Sequence, residues 1–269
     1  MNIIEAGDFS KVKDPVKTEE IINSQLIERA SHISTDYHYV AMPLAWLINR
    51  SGIGETQRKI DKICSDHKEK KLFFVCQHIL VRNLNFHGNL VFTPHSTVLD
   101  SFTAIPHYSC NYDVSLSKPW KEREYTFSFM GSFLTHPVRR RLYEHLKSRK
   151  DCLVIDTGSW HFEGSKEKIE NNSRKYIEVL GNTKFSLCPR GTGPSTIRIW
   201  ESMAMGSLPV IFSDILKMPL EMEVSDELWL RQQEKFETID LPSRDGYNNE
   251  EYFQKFSNDC LYKTIEMNL

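Results

Sequence analysis

A chain of 269 residues, 40% hydrophobic and 26% charged, has the make-up of a globular protein large enough for one big domain or two moderate ones. A formal net charge of −2 gives no support to a basic nucleic-acid groove or a polybasic membrane surface. Six scattered cysteines without a CxxC pair (Cys64, Cys76, Cys110, Cys152, Cys188, Cys260) argue against zinc ribbons and a disulfide framework, and fit buried thiols in a reducing compartment.

The N-terminal run MNIIEAGDFSKVKD holds no apolar stretch of signal-peptide length, and nothing later approaches the roughly 20 residues of a membrane span. A cytoplasmic protein without a transmembrane segment is the expectation. Val16–Ala30 carries Ile21, Ile22, Leu26 and Ile27 at helical spacing. Tyr37–Ala41 reads as a short buried strand ending at Pro43, with Asp36 beside it. Leu44–Arg50 and Glu55–Asp66 read as helices, the second with Ile60 and Ile63 facing inward.

Leu72–Cys76 is a continuous apolar run of the kind buried on both faces of a parallel sheet. His78 follows at its C-terminal end, where ligands collect in open α/β sheets. Leu90–Phe92 and Thr97–Ala104 are further strands, and Asn111–Glu124 reads as a polar interdomain linker. Tyr125–Met130 is an alternating strand closed by Gly131-Ser132, and His136–Arg141 opens a helix. Cys152–Ile155 is a buried strand and Glu167–Leu180 a helix. Past Pro219 the pattern predicts helices at Asp226–Lys235 and Glu250–Met267.

The stretch Lys184–Pro219 organises the rest. It reads as a strand (Phe185–Cys188), a glycine-rich turn, a helix (Ser195–Met205) and a second strand (Leu208–Phe212). Gly191 and Gly193 are expected to supply backbone angles closed to other residues, Ser195 the N-cap, and Gly206 the helix stop. On a helical wheel Ser195, Arg198, Glu201 and Ser202 share one arc, which faces a ligand. Ile197, Ile199, Trp200, Met203 and Ala204 share the other, which faces a sheet. A helix N-terminus flanked by Arg190 and Arg198 suits a diphosphate, and Glu201 suits ribose hydroxyls. Residue types alone give equal weight to a surface βαβ unit with solvated arginines. The turn is not a P-loop, lacking Gly-Lys-Ser/Thr, and it lacks the third glycine of the dinucleotide fingerprint.

The string Leu187-Cys-Pro-Arg-Gly191, then Ser195-Thr-x-Arg198-x-x-Glu201, Gly206-x-x-Pro-Val210 and Ser213-Asp214, closely resembles the signature of the exostosin-like glycosyltransferases of family 47. The resemblance is tight over about Tyr125–Pro219 and looser before it. It implies an α/β protein of GT-B type, with two Rossmann-like domains facing a cleft and a C-terminal helix crossing back. The boundaries expected are residues 1–115 for acceptor binding, 122–248 for nucleotide-sugar binding and 249–269 for the returning helix. It implies an inverting transferase moving a sugar, xylose or similar, from a UDP-sugar to a glycan hydroxyl. Within the family this compact chain is most similar to the capsid-decorating transferases of large algal viruses, a xylosyltransferase among them.

The donor-binding residues so implied are Gly131, Arg139, Arg190, Gly191, Ser195, Thr196, Arg198 and Glu201. No Asp-x-Asp occurs, so arginines are expected to carry the diphosphate charge with no metal and no cofactor. The base for the acceptor hydroxyl is expected on the first domain. His78 is the first choice, Asp36 the second, with His87 also considered. Trp160, His161 and Phe162 are candidates to line a sugar or base site. Partners are a nucleotide sugar and a glycan acceptor, with no nucleic acid. The alternative reading is a non-catalytic glycan- or nucleotide-binding module that keeps a degenerate transferase fold.

Overall fold

The computed structural model describes residues 1–13, 17–159, 164–219, 227–239 and 241–269. Trp160, His161, Phe162 and the first residue of the predicted Asp226–Lys235 helix lie outside the described residues. The chain divides into two compact units, Met1–Tyr108 with Ile215–Leu220 and Asn258–Leu269, and Ser109–Asp214 with Glu221–Ser257. Each is an open sheet of five parallel strands with interleaved helices, the α/β architecture of the GT-B type.

In the first unit the strands β1 (Asn2–Glu5), β2 (Tyr37–Ala41), β3 (Lys71–Val75), β4 (Leu90–Thr93) and β5 (Thr103–Ala104) lie side by side in sequence order. Apolar residues run without a break along β3 because both faces are covered. Leu72 and Phe74 join Val40, Val91 and the helix α2 (Leu44–Asp66), while Phe73 and Val75 join Tyr39, Phe92 and the helix α1 (Thr18–Arg29). α2 is broken at Gly52, whose φ of 78° only glycine adopts freely, which accounts for the two helices expected there. The strand expected over Thr97–Ala104 shrinks to β5. Asp100 instead accepts the Thr97 and Phe102 amides (both 3.1 Å) and folds the segment into a turn.

In the second unit β6 (Tyr125–Gly131), β7 (Cys152–Asp156), β8 (Thr183–Pro189), β9 (Leu208–Phe212) and β10 (Leu230–Gln232) are arranged β7-β6-β8-β9-β10. Counted within the unit this is the doubly wound order 2-1-3-4-5, which reverses between β6 and β8. β7 is a half-buried edge strand, not a fully buried one, because among the described residues only β6 pairs with it. β10 stands where a helix was expected, and its residues extend the sheet beside Val210–Phe212. One face of this sheet is apolar, with Phe127, Phe129, Phe185 and Leu187 against the helix α3 (Pro137–Leu146). The other carries small polar groups, Ser128 and Ser186, and lies under α4 (Lys166–Gly181) and α5 (Arg198–Ala204).

The segment Asn111–Glu124, expected as a loose linker, is anchored in the second unit. The buried Arg123 guanidinium donates to the carbonyls of Lys118 (2.9 Å), Thr183 (2.7 Å) and Met205 (2.9 Å). In place of one terminal helix the chain forms two. α6 (Glu250–Lys255) belongs to the second unit, where Phe256 just beyond it packs on Trp200, and α7 (Leu261–Glu266) packs on α1 in the first. Among the described residues no helix is long and apolar enough to cross a membrane.

Candidate active site

The reversal in strand order opens the second sheet at one point. β6 and β8 pair at Tyr125–Thr183, Phe127–Phe185 and Ser128–Ser186. Their outer ladders run on to Gly131–Asp156 and Pro189–Phe212. The two strands therefore part over their last three residues, and this crevice at the C-terminal edge is where doubly wound sheets take their ligands.

Two guanidinium groups fill the parting. Arg198, one side chain into α5, donates through Nη2 to the Met130 carbonyl and lies over the rings of Phe129 (4.6 Å) and Tyr176 (4.9 Å). Its Nε is buried and has no hydrogen-bond partner among the described residues. Arg139, in the first turn of α3, donates to the carbonyls of Ser132 (2.9 Å) and Arg190 (3.0 Å) and, like Arg198, lies over the Phe129 ring (5.4 Å). Burial, then the neighbouring Arg198 charge, push the Arg139 pKa down to about 9, so it stays cationic at neutral pH. Two adjacent, desolvated cations, one with a donor unfilled among the described residues, have the chemistry that suits an anion.

The glycines serve these arginines. A Cβ on Gly131 would stand 3.1 Å from Arg198 Nη2, and one on Gly191 3.0 Å from Arg139 Nη2. Neither Gly191 nor Gly193 has the positive φ expected of it, and close approach of the guanidinium is what Gly191 provides. Gly206 does have it, at φ 64°, and ends α5 as read.

Three expectations are corrected here. α5 begins at Arg198, so Ser195 is not its N-cap. Ser195 and Thr196 form the buried and half-buried approach to the helix, and the Thr196 carbonyl accepts the Ile199 amide (3.2 Å). The two arcs of the helix are also both buried. Ser202 of the polar arc bonds Ser186 on the sheet (2.8 Å), because that sheet face is itself polar, while Trp200 of the apolar arc meets Phe256. Finally, Glu201 does not stand at an open mouth. At 1% exposure its carboxylate accepts from the amides of Cys110 (3.3 Å) and Asn111 (2.9 Å), Asn111 Nδ2 (3.0 Å) and the Tyr176 hydroxyl (2.7 Å).

Arg190 is at the end of β8, where its amide donates to the Phe212 carbonyl (3.1 Å) and its Nη1 is 3.4 Å from Glu234. The sequence reading missed Glu234, which falls in the segment assigned to a helix. It also missed the ring faces of Phe129 and Tyr176, although Phe129 was visible on an alternating strand.

In the first unit His78 is at the C-terminal edge, as read. Its Nδ1 accepts the Leu80 amide (3.1 Å), which leaves the proton on Nε2 to donate to Asn49 Oδ1 (3.0 Å). Asp36 is exposed and precedes β2, on the opposite edge of the same parallel sheet, so the structure does not bring the two together. His87 is exposed and bonded to Asp61 (2.7 Å). Two histidines not singled out follow the adjacent strands: His95 after β4 and His107 after β5, both 5% exposed, with ring centroids 5.1 Å apart. Burial pushes both pKa values down, His107 to about 3. Among the described residues, no three histidine, cysteine or carboxylate groups converge to hold a metal ion.

A doubly wound parallel sheet with arginines in the crevice at its reversal point defines a Rossmann-like unit. The exostosin GT47 domain matches residues 62–227, and the chain belongs to that glycosyltransferase family. It is 32% identical over 99 residues to ribitol-5-phosphate xylosyltransferase 1 of Danio rerio, covering 36% of this chain and 22% of that protein. It is 26% identical over 140 residues to the exostosin-1 homolog of Caenorhabditis elegans, 45% of this chain and 37% of the relative. The probable glucuronoxylan glucuronosyltransferase IRX7 of Arabidopsis thaliana is 27% identical over 107 residues, 39% and 22% of the two chains. The matches thus span well under half the length of these relatives.

Proposed function

We propose that this chain transfers a sugar, with inversion, from a nucleoside diphosphate donor to a hydroxyl of a glycan acceptor. The observation that carries the reading is the Arg139–Arg198 pair in the parting of β6 and β8. Arginine cannot shed its charge on burial, and among the described residues the buried Arg198 Nε has no partner. A diphosphate seated there supplies the missing acceptor. As the bond from the anomeric carbon to the diphosphate breaks, the electron pair leaves with the phosphate, and the two guanidiniums stabilise that growing charge. Arginines in this role make the transfer independent of a divalent metal. The relatives named as xylosyltransferases support a pentose as the sugar moved, which we assign to a uridine diphosphate donor, and those named as glucuronosyltransferases make a uronic acid the competing choice.

The acceptor and its base are assigned to the first unit. His78 is at the ligand-binding edge and Asp36 is not, so His78 takes the acceptor proton. To do so, its Nδ1 must exchange the Leu80 amide for the acceptor hydroxyl, so that the ring presents a free lone pair.

Calorimetric titration with UDP, UDP-xylose and UDP-glucuronate, with and without EDTA, tests the donor half. Arg198→Ala is expected to weaken binding about 100-fold, from the loss of charge-assisted bonds to phosphate. Acceptor-dependent release of UDP tests transfer. Tight binding by Arg198→Ala, or binding that requires a metal, would remove the basis of this reading.

A further inference from the structure

Arg198 and Glu201 are neighbours on one face of α5, at a spacing where opposite charges on a helix meet. Yet among the described residues Arg198 Nη2 bonds the Met130 carbonyl and Nε bonds nothing. The carboxylate is turned to other donors. Glu201 Oε1 accepts from the Cys110 amide (3.3 Å), the Asn111 amide (2.9 Å) and Asn111 Nδ2 (3.0 Å). Oε2 accepts from the Tyr176 hydroxyl (2.7 Å).

Tyr176 is common to both charges. From α4 its hydroxyl holds the carboxylate, while the Arg198 guanidinium lies over its ring, 4.9 Å from the centroid. Burial raises the phenol pKa well above its usual 10, the Arg198 charge opposing and the Glu201 charge adding, so the group stays a donor. The two ways of holding a cation differ in what they leave behind. A ring attracts a guanidinium through its π face and uses up none of its N–H groups. A carboxylate takes those donors and cancels the charge, and in a desolvated site it competes directly with a phosphate. Phe129 and Tyr176 hold Arg198 in the first way.

We propose that Tyr176 is a positioning residue for the anion site. Its ring seats Arg198 and its hydroxyl retains Glu201, so that the Arg198 charge and Nε are left for the ligand. This rests on the nucleoside diphosphate reading of the arginine site.

The test is a double-mutant cycle read by calorimetry with inorganic pyrophosphate and UDP. Tyr176→Phe keeps the ring and frees Glu201 Oε2 to pair with Arg198, and both probes are expected to bind about tenfold more weakly. In a Glu201→Gln background, where no carboxylate can capture the cation, the same Tyr176→Phe step should cost about twofold or less. Loss of packing alone would cost the same in both backgrounds, and that result overturns the proposal while the donor reading stands. Binding by Tyr176→Phe as tight as wild type does the same. Denaturation midpoints show whether each variant folds. A second readout needs no change at Glu201: the Arg198 Nε–H resonance, assigned by its loss in Arg198→Lys. In the wild type it should shift on adding pyrophosphate, and in Tyr176→Phe it should already be shifted before any is added. An unshifted resonance in Tyr176→Phe overturns the proposal. If the wild type binds neither probe, the proposal and the donor reading fall together.

Discussion

The two sheets use the same elements, five parallel strands under helices, and treat their C-terminal edges in opposite ways. In the first unit the strands follow one another in order and the edge is closed by its own groups. Glu19, 4% exposed in the first turn of α1, accepts the Ala45 amide at the head of α2 (3.1 Å) and the Gln77 amide just past β3 (2.7 Å). Next to it His95 and His107 meet burial by remaining neutral. In the second unit the order reverses, the strands part, and arginines fill the gap. An imidazole can give up its proton when buried, whereas a guanidinium cannot. The first edge therefore carries neutral imidazoles, with His95 Nδ1 and His107 Nδ1 buried without a hydrogen-bond partner among the described residues, while the second carries cations, a charge that suits an anion.

The largest effect should come from removing the internal carboxylate of the first edge. Replacing Glu19 by Ala leaves the Ala45 and Gln77 amides buried without acceptors, at a cost of about 1–3 kcal/mol each. The chemical denaturation midpoint should fall by the equivalent of about 3 kcal/mol, with Glu19→Gln recovering part of it. A loss below about 0.5 kcal/mol would mean that this edge does not depend on its internal carboxylate.

A smaller effect separates the edges by pH. An unfolded histidine titrates near 6.5, whereas in the fold His107 does so at about 3 and His95 well below 6.5. Below pH 6.5 the unfolded chain therefore takes up protons that the native edge refuses. This contribution is full above pH 6.5 and is lost as pH falls toward 3, at about 1.4 kcal/mol per unit for each histidine. The groups acting on His95 are His107, His78 and Arg82, all of which lower its pKa, and the Gln77 backbone, which raises it. Denaturation midpoints at pH 7.5 and 5.5 check this. His107→Phe should flatten the decline, and an equally steep fall in that variant would assign it to other groups.

Much of this contrast was open to sequence reading, and the lost parts share a cause. The strands at Leu72–Cys76, Phe185–Cys188 and Leu208–Phe212 announce themselves because apolar runs of that length have few other uses. Arg139, Arg190 and Arg198 were singled out, and the fold gathers them at one edge. What periodicity could not reveal was where a polar side chain points. Glu201 and Arg198 lie on the same arc of α5, yet the first is bonded by Asn111 and Tyr176 while the second has an Nε without a partner among the described residues. That difference depends on partners some 25 and 90 positions away in the chain. Glu234 was missed for a related reason. Its segment has helical composition, but pairing with β9 makes Leu230–Gln232 a strand.

The smallest effect tests how closely the arginines must be placed. A Cβ at position 191 would approach Arg139 Nη2 to 3.0 Å, and that atom's long bond to the Pro189 carbonyl (3.4 Å) can yield while Nε and Nη1 keep the Arg190 and Ser132 carbonyls. A Cβ at position 131 would approach Arg198 Nη2 and the Phe129 ring, both to 3.1 Å, and there neither neighbour is free to move. The Arg198 group is bonded to the Met130 carbonyl and stacked between two rings, and Phe129 is in the core. Gly191→Ala should therefore cost UDP affinity about threefold and Gly131→Ala about tenfold, with denaturation midpoints within about 1 kcal/mol of wild type. The order of the two is the informative part. If Gly191→Ala is the more damaging, Arg139 rather than Arg198 sets the position of the diphosphate. If neither matters, the anion does not depend on the parting of β6 and β8 at all.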